Sequence, residues 1–297
     1  MDEFQLIENI KSWIEDQEMI GDDAAILPNN TLACVDTLVE DVHFTRKITS
    51  FYELGWKALA VNISDIAAMG GRSKYALISF AVTDDIISSD LKQFYYGFKE
   101  LAKLAGVVLI GGDTVKSKTK IVVTITLLGE VISEPILRKG ANLGDYLCLT
   151  GVCGEASKGL QELLKIGKTT SLRHKKFNKP MPRFKEGIII GENRIANSMV
   201  DISDGLAFSL YELIKDMNLG ISLNQEFDSD ALYGGEDYEL LFTVSDLNKL
   251  QKLKNSHVNI IGKITNENCG VVNMHCKNGQ VEALENKGYS AFSSCRD

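Results

Sequence analysis

The sequence predicts an α/β protein of two domains, each built on mixed α+β sheets. Three observations carry that expectation. The chain has 297 residues, about two ordinary domain lengths. Apolar segments alternate between strand-like and helix-like periodicity in both halves. Near the middle, 133–144 (SEPILRKGANLG) carries Pro135, Gly140 and Gly144 and breaks the alternation. The boundary therefore falls there, giving an N-terminal domain, 1–135, and a C-terminal α/β domain, 136–297.

Taken in order, Leu6, Ile7, Ile10, Trp13 and Ile14 recur at helical spacing and make a first amphipathic helix. Thr31 to Val35 reads as a short strand. A helical pattern covers about 52–69, and Lys74 to Thr83 reads as a strand. Leu91, Phe94, Tyr95, Phe98, Leu101 and Ala102 mark another helix. Val107 to Ile110 is a compact strand closed by Gly111 and Gly112, and 120–131 (KIVVTITLLGEV) is a long β-branched one. The second half gives a strand at 145–150, a helix at 154–166, a basic loop at 171–183 and helices at 186–198 and 204–217. Strands near 220–223 and 237–244, a helix near 246–254 and strands near 257–264 and 270–274 complete it.

Composition bounds the function. With 44% hydrophobic and 24% charged residues and a mean hydropathy of -0.03, the chain has the material for a packed core. Thirty-two basic against forty acidic residues give a net charge of -8 and a pI near 5.2, the wrong balance for gripping nucleic-acid phosphates. The acidic N-terminus lacks the pattern of a signal peptide. The longest apolar runs fall short of the roughly 20 residues that span a bilayer. A soluble, cytoplasmic protein with no membrane partner is expected. Six scattered cysteines (Cys34, Cys148, Cys153, Cys269, Cys276, Cys295) read as reduced thiols. Cys269 and Cys276, with His275 between, lack zinc-site spacing.

The chemistry lies in the aspartates. Asp36 follows LACV, Asp113 follows VVLIGG, and Asp201 and Asp204 flank a turn after Ser198 to Val200. Asp22 and Asp23 follow Gly21, and Asp65 lies one helical turn beyond Asn62. Carboxylates at strand ends project into the crevice where open sheets bind ligands. Several of them converging would repel one another unless hard cations intervene, magnesium above all, with phosphate oxygens completing the shell. Singly, each aspartate reads equally as a turn former or a helix cap, and Asp204 stands where a cap for the helix at 204–217 would stand. No GxxxxGK[ST], GxGxxG, HRD, DFG or GxSxG signature is present. Any ATP would be held through carboxylate-bound magnesium. The basic stretch RHKKFNKPMPR (173–183) reads as a solvated loop.

GDDAAIL, VDTLVEDVHF, KALAVNISDIAAMGG, IGGDT, LRKGA, VDISDGL and GGEDYELLFTV occur in the order and approximate spacing of thiamine-monophosphate kinase. The chain resembles that family over essentially its whole length. The family sits within the ATP-dependent superfamily of aminoimidazole ribonucleotide synthetase, selenophosphate synthetase and a hydrogenase maturation factor. The resemblance implies the two-domain fold of aminoimidazole ribonucleotide synthetase and a homodimer paired through the N-terminal, ATP- and magnesium-binding domains. It implies transfer of the ATP γ-phosphoryl to thiamine monophosphate, giving thiamine diphosphate and ADP, with several magnesium ions and no general base. Carried over by position, Asp23, Asp36, Asp65, Asp113, Asp201 and Asp204 would hold the metal. Tyr96, Gly112, Asp113, Arg138 and Ser203 would contact ATP. His43, Glu236 and Tyr289 would bind the acceptor, Tyr289 or Phe292 stacking on its ring.

The chain departs from the family pattern in three places. Cys34 and Val35 stand where polar residues are usual, the stretch from Leu223 to Gly234 is short, and the tail SAFSSCRD differs. Two other readings accompany the kinase: a non-catalytic magnesium–nucleotide binding protein, and a related ATP-dependent synthetase with another acceptor. The chain lacks the Cys- and Gly-rich N-terminal segment of selenophosphate synthetase and the terminal cysteine of the hydrogenase factor.

Overall fold

The computed structural model describes residues 3–14, 20–167 and 172–289; Phe292 and Cys295 lie outside them. The first amphipathic helix is α1 (Glu3–Trp13). The N-terminal half forms a five-stranded sheet from β1 (Ala25–Leu27), β2 (Thr31–Val39), β3 (Gly71–Val82), β4 (Val108–Lys116) and β5 (Val122–Val131). The order is β1-β2-β5-β3-β4, and only the β3–β4 pair is parallel. Helix α2 (Phe51–Ala68) precedes β3, and α3 (Ser88–Ala105) makes the crossover from β3 to β4. The strand expected to close at Gly111 instead continues through both glycines to Lys116. Its partner β3 supplies a ladder at that point, with Leu77 beside Gly111 and Ile78 beside Gly112.

The second half forms a seven-stranded mixed sheet. Its strands are β6 (Tyr146–Thr150), β7 (Ser198–Asp201), β8 (Gly220–Leu223), β9 (Leu240–Val244), β10 (Val258–Thr265), β11 (Val272–His275) and β12 (Val281–Ala283). The order is β12-β11-β8-β10-β6-β9-β7, with only β8 and β11 parallel. Helices α4 (Glu155–Ile166), α5 (Leu172–Asn178), α6 (Phe184–Glu192), α7 (Leu206–Ile214) and α8 (Ser229–Tyr233) accompany it.

Several sequence expectations are corrected here. The helix placed at 186–198 stops at Glu192, and Ser198 already pairs with Thr243 as the first residue of β7. The segment 173–183 is not a solvated loop. Phe177 packs with Ile48 and Leu163, the Trp56 indole donates to the Pro180 carbonyl at 2.6 Å, and Arg183 Nη2 donates to the buried Glu239 at 2.6 Å. The short stretch before Gly234 folds as α8, capped by Asp228, whose side chain accepts from the Ala231 N–H. Residues Leu247–Leu253 form a 3-10 rather than an α-helix. Strand β12, wholly exposed, had no apolar alternation to announce it.

Helix α2 is the centre of the packing. A capping box fixes its start: the Glu53 N–H donates to Ser50 Oγ, and the Ser50 N–H donates to the Glu53 carboxylate. From Leu54 to Ala68 every residue but Asp65 is buried, so the helix is covered on all sides. The apolar cluster around it joins the first sheet and α3 to Phe184, Ile190, Met199 and Phe242 of the second half. A second cluster fills the space between the second sheet and α7. No helix among the described residues is long and apolar enough to cross a membrane. Of the cysteines described, Cys34, Cys148 and Cys153 are buried free thiols, and Cys269 and Cys276 are free as well.

The α2–α3 contact depends on a small residue. A Cβ on Gly97 would lie 1.8 Å from the Tyr52 carbonyl oxygen of α2, closer than any packing allows. Alanine would gain about 1 kcal/mol of helix propensity, but backbone cannot retreat as a flexible side chain can. Gly97→Ala should therefore lower stability by about 1–3 kcal/mol net, read as a drop in the urea midpoint. Lys99→Ala, on the exposed face of the same helix, should stay within about 0.5 kcal/mol.

Candidate active site

A cavity of about 690 Å³ opens where β2, the C-terminal end of α2, β7 and the segment before β9 meet. Ten of the thirteen residues that the family resemblance assigns to the site line it: Asp23, Asp36, Asp65, Asp201, Asp204, Arg138, Ser203, His43, Glu236 and Tyr289. Asp36 lies on β2, Asp65 on the last turn of α2 and Asp201 at the end of β7. Tyr289 is brought in by the C-terminal segment, whose N–H at this residue donates to the Asp204 carbonyl at 3.0 Å. Gly205, not Asp204, is the N-cap of α7 and no side chain caps it, so Asp204 faces the cavity instead.

Three carboxylates crowd together. One oxygen from each of Asp23, Asp65 and Asp201 lies within 4.8 Å of the others. Asp201 Oδ2 accepts from Ser64 Oγ at 2.5 Å. Asp23 Oδ1 accepts from Arg138 Nη2 at 2.6 Å and from Nε at 3.2 Å. Its other oxygen, Oδ2, is buried with no hydrogen-bond partner. Burial, then mutual repulsion, raises the proton affinity of the group. Asp36 is pushed from 3.8 up to about 6 by burial and by Asp23. Asp201 is pushed to about 8 by burial and Asp23, against the Ser64 hydrogen bond and Arg138. Asp65 stands well above the ordinary range through burial and then Asp36, Asp201 and Asp23. Burial raises Asp23 too, opposed by Arg138. Burial disfavours the Arg138 charge, but Asp23, Glu212 and Asp201 outweigh it and hold the guanidinium firmly protonated. An all-oxygen donor set with an orphaned buried oxygen fits a hard divalent cation.

Cys34, beside this cluster, donates its thiol to the Asn62 carbonyl at 3.4 Å. Burial, with Asp65 and Asp36 behind it, keeps that thiol well above its ordinary pKa and neutral.

At the other end of the cavity the Val39 N–H donates to His43 Nδ1 at 3.0 Å, so the neutral ring carries its proton on Nε2. Glu236 adopts a left-handed backbone, φ 70°, and its N–H donates to the Ser203 carbonyl at 2.7 Å. Gly235 makes that pairing possible, since a Cβ there would fall 2.4 Å from the same carbonyl oxygen. Val42, Ile48, Leu160 and Phe177 give this end an apolar wall.

Tyr96, Gly112 and Asp113 are not in the cavity. Asp36, Ile125, Ile78 and Gly112 are successive lateral partners across β2, β5, β3 and β4. Asp113 therefore sits about 14 Å from Asp36, three strand spacings away, and one residue out of phase, on the opposite face of the sheet. Sequence spacing cannot see that. Ser64, Glu212 and Phe177 were missed as well. Ser64 had a signal, being adjacent to Asp65 in NISD, whereas Glu212 and Phe177 enter only through the tertiary fold.

Residues 21–131 match the family described as AIR synthase related protein, N-terminal domain. Among curated relatives, thiamine-monophosphate kinase of Bacillus subtilis is 39% identical, over 83% of this chain and 84% of its own. The enzyme of the same name from Escherichia coli K12 is 32% identical over 98% of both chains. The solved structure of AaThiL complexed with AMPPCP and TMP superposes with a TM-score of 0.85 at 30% identity, covering 98% of this chain and 97% of that one.

The raised carboxyls have a consequence for stability. They bind protons more tightly folded than unfolded, so without a cation folding stability falls as pH climbs from about 4 through the values near 6 and 8. The thermal midpoint of chelator-treated protein should decline across that window. A divalent cation should raise it, most at the alkaline end. A cation effect that is independent of pH would contradict the assignment of Asp23, Asp65 and Asp201 as its ligands.

Proposed function

The chain belongs to the thiamine-monophosphate kinase family, and we propose that the cavity is where it transfers the ATP γ-phosphoryl to thiamine monophosphate. The observation that carries this reading is the convergence of Asp23, Asp65 and Asp201 on the wall of a cavity whose far end presents His43, Glu236 and Tyr289.

The acceptor is a phosphate monoester, already anionic near neutral pH. One of its oxygens attacks the γ-phosphorus, the bond from that phosphorus to the β,γ-bridging oxygen breaks, and ADP leaves with the electron pair. No base is needed to generate the nucleophile. What the protein must supply is in-line positioning and relief of repulsion between two anions. Asp23, Asp36, Asp65, Asp201 and Asp204, with Asp113, would hold magnesium, which when bound neutralises phosphate oxygens. Arg138 presents a planar fork suited to phosphate and exchanges part of its Asp23 and Glu212 pairing for the nucleotide. Ser203 contacts the nucleotide from the turn before α7. Glu236 complements the cationic ring of the acceptor, and Tyr289, half-exposed, stacks on it.

Tyr96, Gly112 and Asp113 enter this scheme through a second copy of the chain. In support, β4 is an edge strand exposed along its whole length, with Val108, Leu109, Ile110 and Val115 bare beside Tyr75 and Leu77 of β3. Such an edge is normally covered. In this reading the N-terminal half, 1–135, carries dimerisation and most of the cation and nucleotide contacts, and 136–297 completes the nucleotide and acceptor sites. The homodimer works in the cytoplasm.

Purified protein with magnesium, ATP and thiamine monophosphate should yield thiamine diphosphate by chromatography, and none with thiamine in place of the monophosphate. ATP binding without product would favour the non-catalytic or other-acceptor reading. Asp65→Asn and Asp113→Asn should each slow turnover about a thousand-fold, several kcal/mol of barrier, with unchanged circular dichroism. Ile110→Lys should sediment as a monomer and lose activity. A fully active monomer would show that the second copy contributes nothing to the site.

A further inference from the structure

One buried cation has no part in the scheme above. Lys57, in the second turn of α2, has a side chain 1% exposed. Its Nζ lies 2.7 Å from each carboxylate oxygen of Glu236, 3.5 Å from the His43 carbonyl oxygen and 3.8 Å above the centre of the Phe177 ring. These three partners belong to three separate segments: the loop before β9, the turn after β2, and α5. Each of them also lines the cavity. Lys57 itself does not; it stands behind them.

A lysine in such a place is not there for general solubility. Burying an ammonium is unfavourable unless a counter-charge and hydrogen bonds compensate it. Burial lowers the Lys57 proton affinity and Glu236 opposes that loss. Glu236 is in turn held in a left-handed conformation, which a non-glycine residue keeps only where its surroundings fix it. Its backbone is fixed by Ser203 and its carboxylate by Lys57.

We propose that Lys57 is a positioning residue for the phosphoryl acceptor, clamping the Glu236 carboxylate, the His43 turn and the Phe177 ring into one rigid acceptor-binding surface. The inference rests on the reading of this end of the cavity as the acceptor site. Lys57 touches neither substrate. It acts by fixing the direction in which Glu236 meets a cationic ring and the spacing between Glu236 and His43. The nucleotide end is not part of this contact set, so only the acceptor should feel its loss.

Steady-state kinetics in both substrates tests this on Lys57→Met, Glu236→Gln and the double variant, with wild type alongside. Lys57→Met should raise KM for thiamine monophosphate about tenfold or more and leave KM for ATP within about twofold. The double variant should be at most about twofold worse than Glu236→Gln alone, because Lys57 acts mainly through Glu236, its closest partner at 2.7 Å against 3.5 Å for the His43 carbonyl. The double variant also removes both buried charges together, so it keeps the test alive if Lys57→Met leaves an unpaired carboxylate and fails to fold. In that case a double variant whose acceptor KM far exceeds that of Glu236→Gln would overturn the proposal. Equal damage to both substrates, or a lowered melting temperature with an unchanged acceptor KM, would also overturn it. A wild type that makes no thiamine diphosphate would overturn the acceptor reading beneath it, an outcome separate from the others.

Discussion

The repulsion among Asp23, Asp65 and Asp201 is the constraint around which this molecule is arranged. At about 5 Å and an effective dielectric of about 20, each pair of charges costs about 3 kcal/mol. A fold does not gather three such groups for stability. It tolerates them by leaving protons on some and by giving Asp23 the Arg138 guanidinium. Arg138 itself is locked in place by Glu212 at 3.3 Å and by its own N–H on Asp22 at 2.7 Å. The counter-charge thus comes from the segment joining the two halves. Arg138 ties the segment before β1 to α7, beside the point where carboxylates from that segment, α2 and β7 conflict.

Helix α2 turns that local conflict into a site with two ends. It carries Ser64 and Asp65 at its C-terminal turn and Lys57 near its start. Eight residues separate Lys57 from Asp65, about 12 Å along the axis. The helix is buried on all sides and fixed at its start by a capping box, so that spacing is rigid. The carboxylate cluster and the Glu236–His43 surface are therefore held at a set distance by one element of the core. A helix so apolar has no solvent face to spare, and two of its polar residues point where partners from the second half meet them: Lys57 to Glu236, and Ser64 to Asp201.

Much of this was legible in the sequence because the site residues sit at ends of strongly patterned elements. Asp36, Asp65 and Asp201 could be placed by the strand or helix each one belongs to, and the order of the motifs supplied their grouping. What could not be read was anything that depends on sheet face or remote partners. Asp113 looks equivalent to Asp36, yet it lies three strands away and on the other face. The segment 173–183 looks solvated by its charge, but its fate is decided by Glu239 and Trp56, far off in the chain. Lys57 reads as an ordinary polar position in KALAVNISD. Its burial follows from Glu236, 179 residues further on.

The sign of the site's charge finally explains why the chemistry takes this form. Two anionic phosphates must approach one another within a cavity whose wall is itself acidic, in a chain already at net charge -8. Long-range attraction cannot bring them in, and a single arginine, shared between Asp23 and Glu212, cannot balance them. On the proposed reading phosphates enter together with cations, and the raised carboxyls would give up protons as those cations bind. On that reading, binding of nucleotide, cation and acceptor is coupled through one set of charges. The protein's contribution to rate lies in having organised that set beforehand, which is where phosphoryl transfer, with its anionic nucleophile ready-made, has the most to gain.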